Sequence, residues 1–228
     1  MTSSTAQQGP ALIRPTVGKN LISCAVVFFI ALILSVVLTL AFIAKTGVVH
    51  IPLFSNLYHG PTPTRLVAAQ PMTVDAFRVL LGARFFNQAL AARSATAPKE
   101  FRVHVTEKEL TGVVMNAVDS ALRSVSWTQQ YTQLVVQPTD VEFFGQFSSG
   151  TYHIDLLVHF IPRVTPAGIT FEPSTVQIGD VSLPPALAYR AMSSLFARDL
   201  GTWSGAFGPA KIRDIQLSNG VIELIATP

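Results

Sequence analysis

Residues 131–161 read YTQLVVQPTDVEFFGQFSSGTYHIDLLVHFI. Apolar and polar residues alternate with a period of two, the pattern of strands with one buried face. Pro138 and the Ser148-Ser149-Gly150 cluster interrupt it. The spacing therefore predicts three strands, over 131–137, 141–147 and 151–161, folded back on one another. In the third, Tyr152, Ile154, Leu156, Val158 and Phe160 share one face, and His153, Asp155, Leu157 and His159 the other.

Downstream the pattern continues as strands over 169–172 and 175–178, separated by Pro173. Val181-Ser182-Leu183 follows, then Pro184-Pro185 and a helix over about 186–200 with Leu187, Ala191, Leu195 and Phe196 as its apolar positions. At the end, 211–217 and 221–225 flank Asn219-Gly220, the strongest short-range signal for a two-residue hairpin turn. Upstream, 105–122 reads VTEKELTGVVMNAVDSAL. Thr106 and Glu109 have capping-box spacing, and Leu110, Val113, Val114, Val118, Ala121 and Leu122 follow at helical intervals. Gly112 inside that helix points to a close approach of other chain. A short strand is predicted over 101–105. A further helix is predicted over 73–93, capped by Thr73, with Val74, Phe77, Leu80, Leu81, Phe85 and Leu90 as its apolar positions. The predicted class is α+β: an antiparallel meander with amphipathic helices.

Residues 21–44, LISCAVVFFIALILSVVLTLAFIA, carry no charge and lie between Lys19 and Lys45. A bilayer core of ~30 Å needs about 20 apolar residues at the helical rise. The run exceeds a signal-peptide core, and Phe42 stands where cleavage after Ala44 would need a small side chain. We therefore expect an uncleaved single-pass anchor. Arg14 and Lys19 precede it, and Lys45 is the only basic residue on the other side before Arg65. That bias puts the N-terminus in the cytoplasm and the C-terminal part outside. The expected organisation is a disordered tail over 1–20, the anchor over 21–44, a Pro-rich spacer over 45–71 and an extracytoplasmic domain over 72–228.

The net charge is +3, from 16 basic and 13 acidic residues. Arg14, Lys19 and Lys45 account for the excess, since no acid precedes Asp75. The outer part is neutral overall and lacks the clustered basic face of a nucleic-acid binder. The one cysteine, Cys24, lies in the anchor, so the domain has neither disulfide nor thiolate chemistry.

Catalytic signals are weak. Gly201-Thr-Trp-Ser204-Gly205 is G-x-x-S-G, not G-x-S-x-G, and follows a helix, not a strand. His153 and His159 stand ~20 Å apart along a strand, too far to share an ion. Asp155 beside His153 reads as a polar sheet face. Glu107 and Glu109 suit a helix N-terminus. Neither a P-loop nor a dinucleotide fingerprint occurs. The sequence points to a non-catalytic protein that needs neither cofactor nor metal.

Four features together resemble the bacterial YpmS-like (DUF2140) membrane-anchored proteins. They are the anchor with its spacer, FRVHVTEKELTGVVMNAVDSAL at 101–122, VQIGDVSLPP at 176–185, and IRDIQLSNGVIELIA at 212–226. The resemblance implies a tubular lipid-binding (TULIP, BPI-like) domain, a curved antiparallel sheet cupping a helix, that binds lipid at the cell envelope. It implies no catalytic residues. By that implication Leu110, Val114, Val118, Phe143, Ile154, Leu156, Val158, Leu195 and Phe196 are groove or core positions.

Two functions are expected to compete. A lipid or amphiphile binder needs an apolar cavity of several hundred Å3. A scaffold or interaction domain of a membrane complex, with an envelope protein as partner, needs an exposed apolar patch instead, expected on the 73–93 helix. Phe85 is the position we would expect to probe there. A hydrolase ranks behind both.

Overall fold

A computed structural model describes residues 17–49, 51, 58–94, 100–165, 168–184, 186–187 and 211–227, with side chains from 28 onward. Two units are compact in themselves, residues 1–41 and 42–228. Among the described residues the chain is α+β, with three helices and two antiparallel sheets.

The first unit holds most of α1 (Val17–Lys45). Its side chains from Phe28 to Leu40 are largely exposed and apolar, so α1 is long and apolar enough to span a membrane. Thr39 Oγ1 donates to Ser35 O at 2.8 Å, which satisfies this hydroxyl within the helix itself.

In the second unit α2 (Val74–Arg93) starts at Thr73, whose side chain accepts from the Ala76 N–H at 3.2 Å. Next come β1 (Phe101–Thr106) and α3 (Glu107–Leu122). The capping box forms: Glu109 Oε2 accepts from the Thr106 N–H at 2.9 Å, and Thr106 Oγ1 accepts from the Glu109 N–H at 3.3 Å. A five-stranded sheet follows, from β2 (Thr128–Val136), β3 (Val141–Ser149), β4 (Tyr152–Thr165), β5 (Gly168–Ile178) and β6 (Val181–Leu183), paired in chain order. Finally β7 (Lys211–Ser218) and β8 (Val221–Thr227) form the hairpin at Asn219-Gly220, where Gly220 takes φ 82°. β8 also pairs with β1, giving the order β1-β8-β7.

The strands predicted on either side of Pro173 are one strand, β5. Proline lacks the ladder N–H, so it is tolerated where a sheet is irregular. The register shifts between His159 and Phe160, and Pro173 pairs opposite Phe160 at that shift. Of the helix predicted over 186–200, only 186–187 are described; Ala191, Leu195 and Phe196 lie outside the described residues, as does the Gly201–Gly205 stretch.

Alternation divides the five-stranded sheet into two faces. The inner face carries Leu134, Phe143, Phe147, Ile154, Leu156, Val158, Phe160, Val176 and Leu183 in register. The outer face carries Tyr131, Gln133, Glu142, Phe144, Asp155 and His159. Buried apolar residues from α2, β1, β8 and the start of α3 form the larger core, and the inner sheet face forms a second.

Candidate interaction surfaces

The outer face was expected to be a solvated polar sheet, but residues 58–70 run over it. Buried Gln133 holds that strap at both ends of its amide: Oε1 accepts from the Val67 N–H at 2.9 Å, and Nε2 donates to Arg65 O at 2.6 Å. The buried Glu142 carboxylate accepts from the Thr64 N–H at 3.0 Å and from Thr64 Oγ1. Arg65 reaches Glu107 Oε2 and, at 2.8 Å, Val136 O. Tyr58 donates to Asp155 Oδ2 at 2.6 Å. Burial and the Asp155 carboxylate both push the Tyr58 phenol above its ordinary 10, which keeps it a neutral donor. Over this described part, the Pro-rich stretch is fastened chain, with a hydrogen-bond partner every few residues. The sequence shows its prolines but not these distant acceptors.

Gly112 is where the same strap crosses α3. A Cβ built there would stand 1.7 Å from Gln70 O, so only glycine admits the strap backbone. The Gln70 N–H donates to Lys108 O at 3.0 Å beside it.

His153 and Asp155, paired in the sequence reading, separate in the structure. Asp155 serves Tyr58 and Gln146, and His153 is exposed. His159 Nδ1 lies 2.9 Å from Asp140 Oδ2, and His104 Nε2 lies 2.9 Å from Glu223 Oε1. The His104 hydrogen bond, with Arg102 beside it, holds the Glu223 carboxyl below the usual 4.5. Among the described residues, no three His, Cys, Asp or Glu side chains gather closely enough to hold a metal ion.

Of the predicted groove or core positions, Val114, Val118, Phe143, Leu156 and Val158 come together in the inner-face cluster with Phe160 and Val176. Ile154 is half-buried opposite Phe147 on the same face. Leu110 sits in the other core, against a cavity of about 40 Å3 that Phe77, Leu81 and Phe171 also line. That volume holds a few water molecules, not an acyl chain. A larger open groove of about 480 Å3 runs between Pro71-Met72, the α3 residues Gly112, Met115 and Asp119, and Gln129 on β2.

The surface that stands out is on α2. Phe77, Leu81, Phe85 and Ala92 face the core, and Phe85 meets Phe101 edge-on at 5.9 Å. Val79, Phe86 and Leu90 are 74%, 68% and 60% exposed. At 100° per residue they fall within about 20° of one line down the helix. This is an apolar stripe, distinct from the single exposed apolar residues that any surface carries. Leu90 and Phe85, expected on one apolar stripe, thus part: Leu90 is exposed, and Phe85, the position expected to be accessible, is buried. Phe86 is the exposed neighbour, because one residue turns the helix by 100°.

Set against protein-family models, curated proteins and solved structures, the chain matches none.

Proposed function

We propose that this chain is a membrane-anchored, non-catalytic interaction domain whose contact face is the outer side of α2. The observation that carries it is the stripe of Val79, Phe86 and Leu90 on a helix whose other side is fully used by the core. Leaving three large apolar side chains in water forgoes the burial that drives protein association. The helix α1 and the flanking Arg14 and Lys19 support a single-pass arrangement, with the N-terminus cytoplasmic and this domain outside.

Cysteine footprinting in membranes tests it. With Phe86→Cys and, as a control, Leu66→Cys on a Cys24→Ser background, we expect maleimide to label position 86 at least about fivefold more slowly in native membranes than in dissociating detergent. Position 66, itself 79% exposed, should react alike in both. Equal labelling of position 86 in both conditions contradicts the reading.

A second reading is an amphiphile held on the inner sheet face, with α3 across it, as the TULIP-like resemblance implies. It is favoured by the apolar row Phe143, Val158, Val176 and Leu183, and by Phe147, Ile154, Leu156 and Leu183 on the same face being only half-buried. It ranks second because the middle of that face is already filled, with Phe143, Val158, Phe160 and Val176 buried and Val114 and Val118 of α3 packed against them.

A further inference from the structure

The arrangement of residues along α2 is self-complementary, and we propose that its partner is a second copy of the same helix, packed antiparallel across a two-fold axis. This rests on the reading of α2 as a contact face and names what it contacts.

Taking Val79 as the reference direction, Phe86 and Leu90 lie within about 20° of it, and Ala83 about 40° to one side. Asp75 and Arg93 both lie about 40° to the other side. In an antiparallel pair centred between Arg84 and Phe85, Val79 meets Leu90 of the second copy, and Ala83 meets Phe86 of the second copy. A two-fold axis normal to the plane of the two helices keeps a residue on the same side of the seam. Asp75 therefore comes within one residue, ~1.5 Å along the axis, of the level of Arg93 of the second copy, once at each end. Both are exposed at the ends of α2, and the Asp75 side chain is 90% exposed. Opposite charges close both ends of an apolar seam, which is what an isologous interface requires. A parallel pair would instead leave Asp75 level with Asp75 on opposite sides of the seam, with no opposite charge beside it.

The chain leaves α1 at Lys45, and this segment is tied to the far end of the five-stranded sheet. Lys45 O accepts from the Asp180 N–H at 2.9 Å, and Val48 O from the His153 N–H at 3.3 Å. Phe77 and Leu81 of α2 line a cavity with Pro162, nine residues further along β4. At ~3.3 Å per residue these ends of β4 are ~30 Å apart, so within this unit α2 packs at the end of the sheet away from Lys45.

Area sets the strength. Three such side chains offer on the order of 350 Å2 per copy, so a pair buries about 700 Å2, short of the ~1,200 Å2 of a stable free-standing interface. Confinement of both copies to one membrane raises their effective concentration and compensates.

Cross-linking of the full chain, reconstituted in lipid at low protein density on a Cys24→Ser background, tests this. Ala83→Cys lies close to the two-fold axis, within ~5 Å along the helix of its counterpart. We expect dimer cross-linking there by a short bis-maleimide, at a yield at least about fivefold above Leu66→Cys. Adding Asp75→Arg or Arg93→Asp should lower the yield at least about fivefold by placing like charges together, and the double reversal should restore it to within about twofold. These positions are exposed, but each suits its end of the helix dipole and Asp75 Oδ1 lies 3.5 Å from Arg78 Nη1, so thermal melts should fall only slightly below the parent's. Absence of the Ala83 dimer, or no rescue by the double reversal, overturns self-pairing. A photoreactive residue at 86 in cells then separates the two claims. An adduct with a different protein leaves α2 as the contact face and removes the second copy as its partner. No adduct of any kind overturns both.

Discussion

Glu109 sets the start of α3 and also ties α2 to it. Its side chain is 6% exposed and takes hydrogen bonds from Thr106 and from Arg84, the latter at 2.6 Å. Burial raises its carboxyl pKa, but the Arg84 and Thr106 hydrogen bonds outweigh this and the net shift is downward from 4.5. A carboxyl with a lowered native pKa adds stability above its unfolded pKa, and that stability disappears as pH falls through the native one. Arg84→Met should therefore cost on the order of 2–3 kcal/mol at pH 7, by leaving a buried charge with neutral donors only. In urea titrations from pH 6 down to 3, we expect the parent to lose stability below about pH 4.5 and Glu109→Gln to flatten that slope. An unchanged slope would show that Glu109 does not carry it. The capping pair was legible at this scale, because Thr106 and Glu109 are three residues apart. Arg84 was not, since it lies 25 residues upstream and only the packing of α2 on β1 delivers it.

At the scale of elements, short-range signals read well. Caps, the Asn219-Gly220 turn and the period-two strands depend on residues within a turn of each other, so their chemistry is local. Pro173 misled because a bulge can absorb a proline that a regular ladder cannot. α2 was located correctly but rotated, since apolar residues occur on both of its sides and periodicity cannot say which side is the core. The strap at 58–70 left no periodic trace, because its partners are side chains on β2, β3 and β4. Its crossing with α3 carries the clearest prediction. Gly112→Ala should destabilise by about 3 kcal/mol, despite the ~1 kcal/mol that alanine gains in a helix, because the Cβ would meet the Gln70 carbonyl backbone. A thermal melt at or above the parent's would show that the strap can move aside.

For the molecule as a whole, composition and order were informative where geometry was not. The uncharged run over 21–44 announces a helix able to span a membrane, and the succession of hairpins implies antiparallel sheets. How much space the inner sheet face leaves depends on Val114 and Val118 packing against Phe143, Val158 and Val176, which no spacing predicts. Neither does the sequence say that Phe86, and not Phe85, faces outward. The central claim is that the domain acts through the outer side of α2 and not by holding a lipid. Native mass spectrometry of the full chain, released from lipid nanodiscs, tests it most directly, with Leu156→Asn and Phe86→Asp beside the parent. The account predicts a dimer that Phe86→Asp abolishes, and the same small lipid complement in parent and Leu156→Asn. A lipid bound one per chain, lost on Leu156→Asn while the melting temperature holds and indifferent to Phe86→Asp, would contradict it.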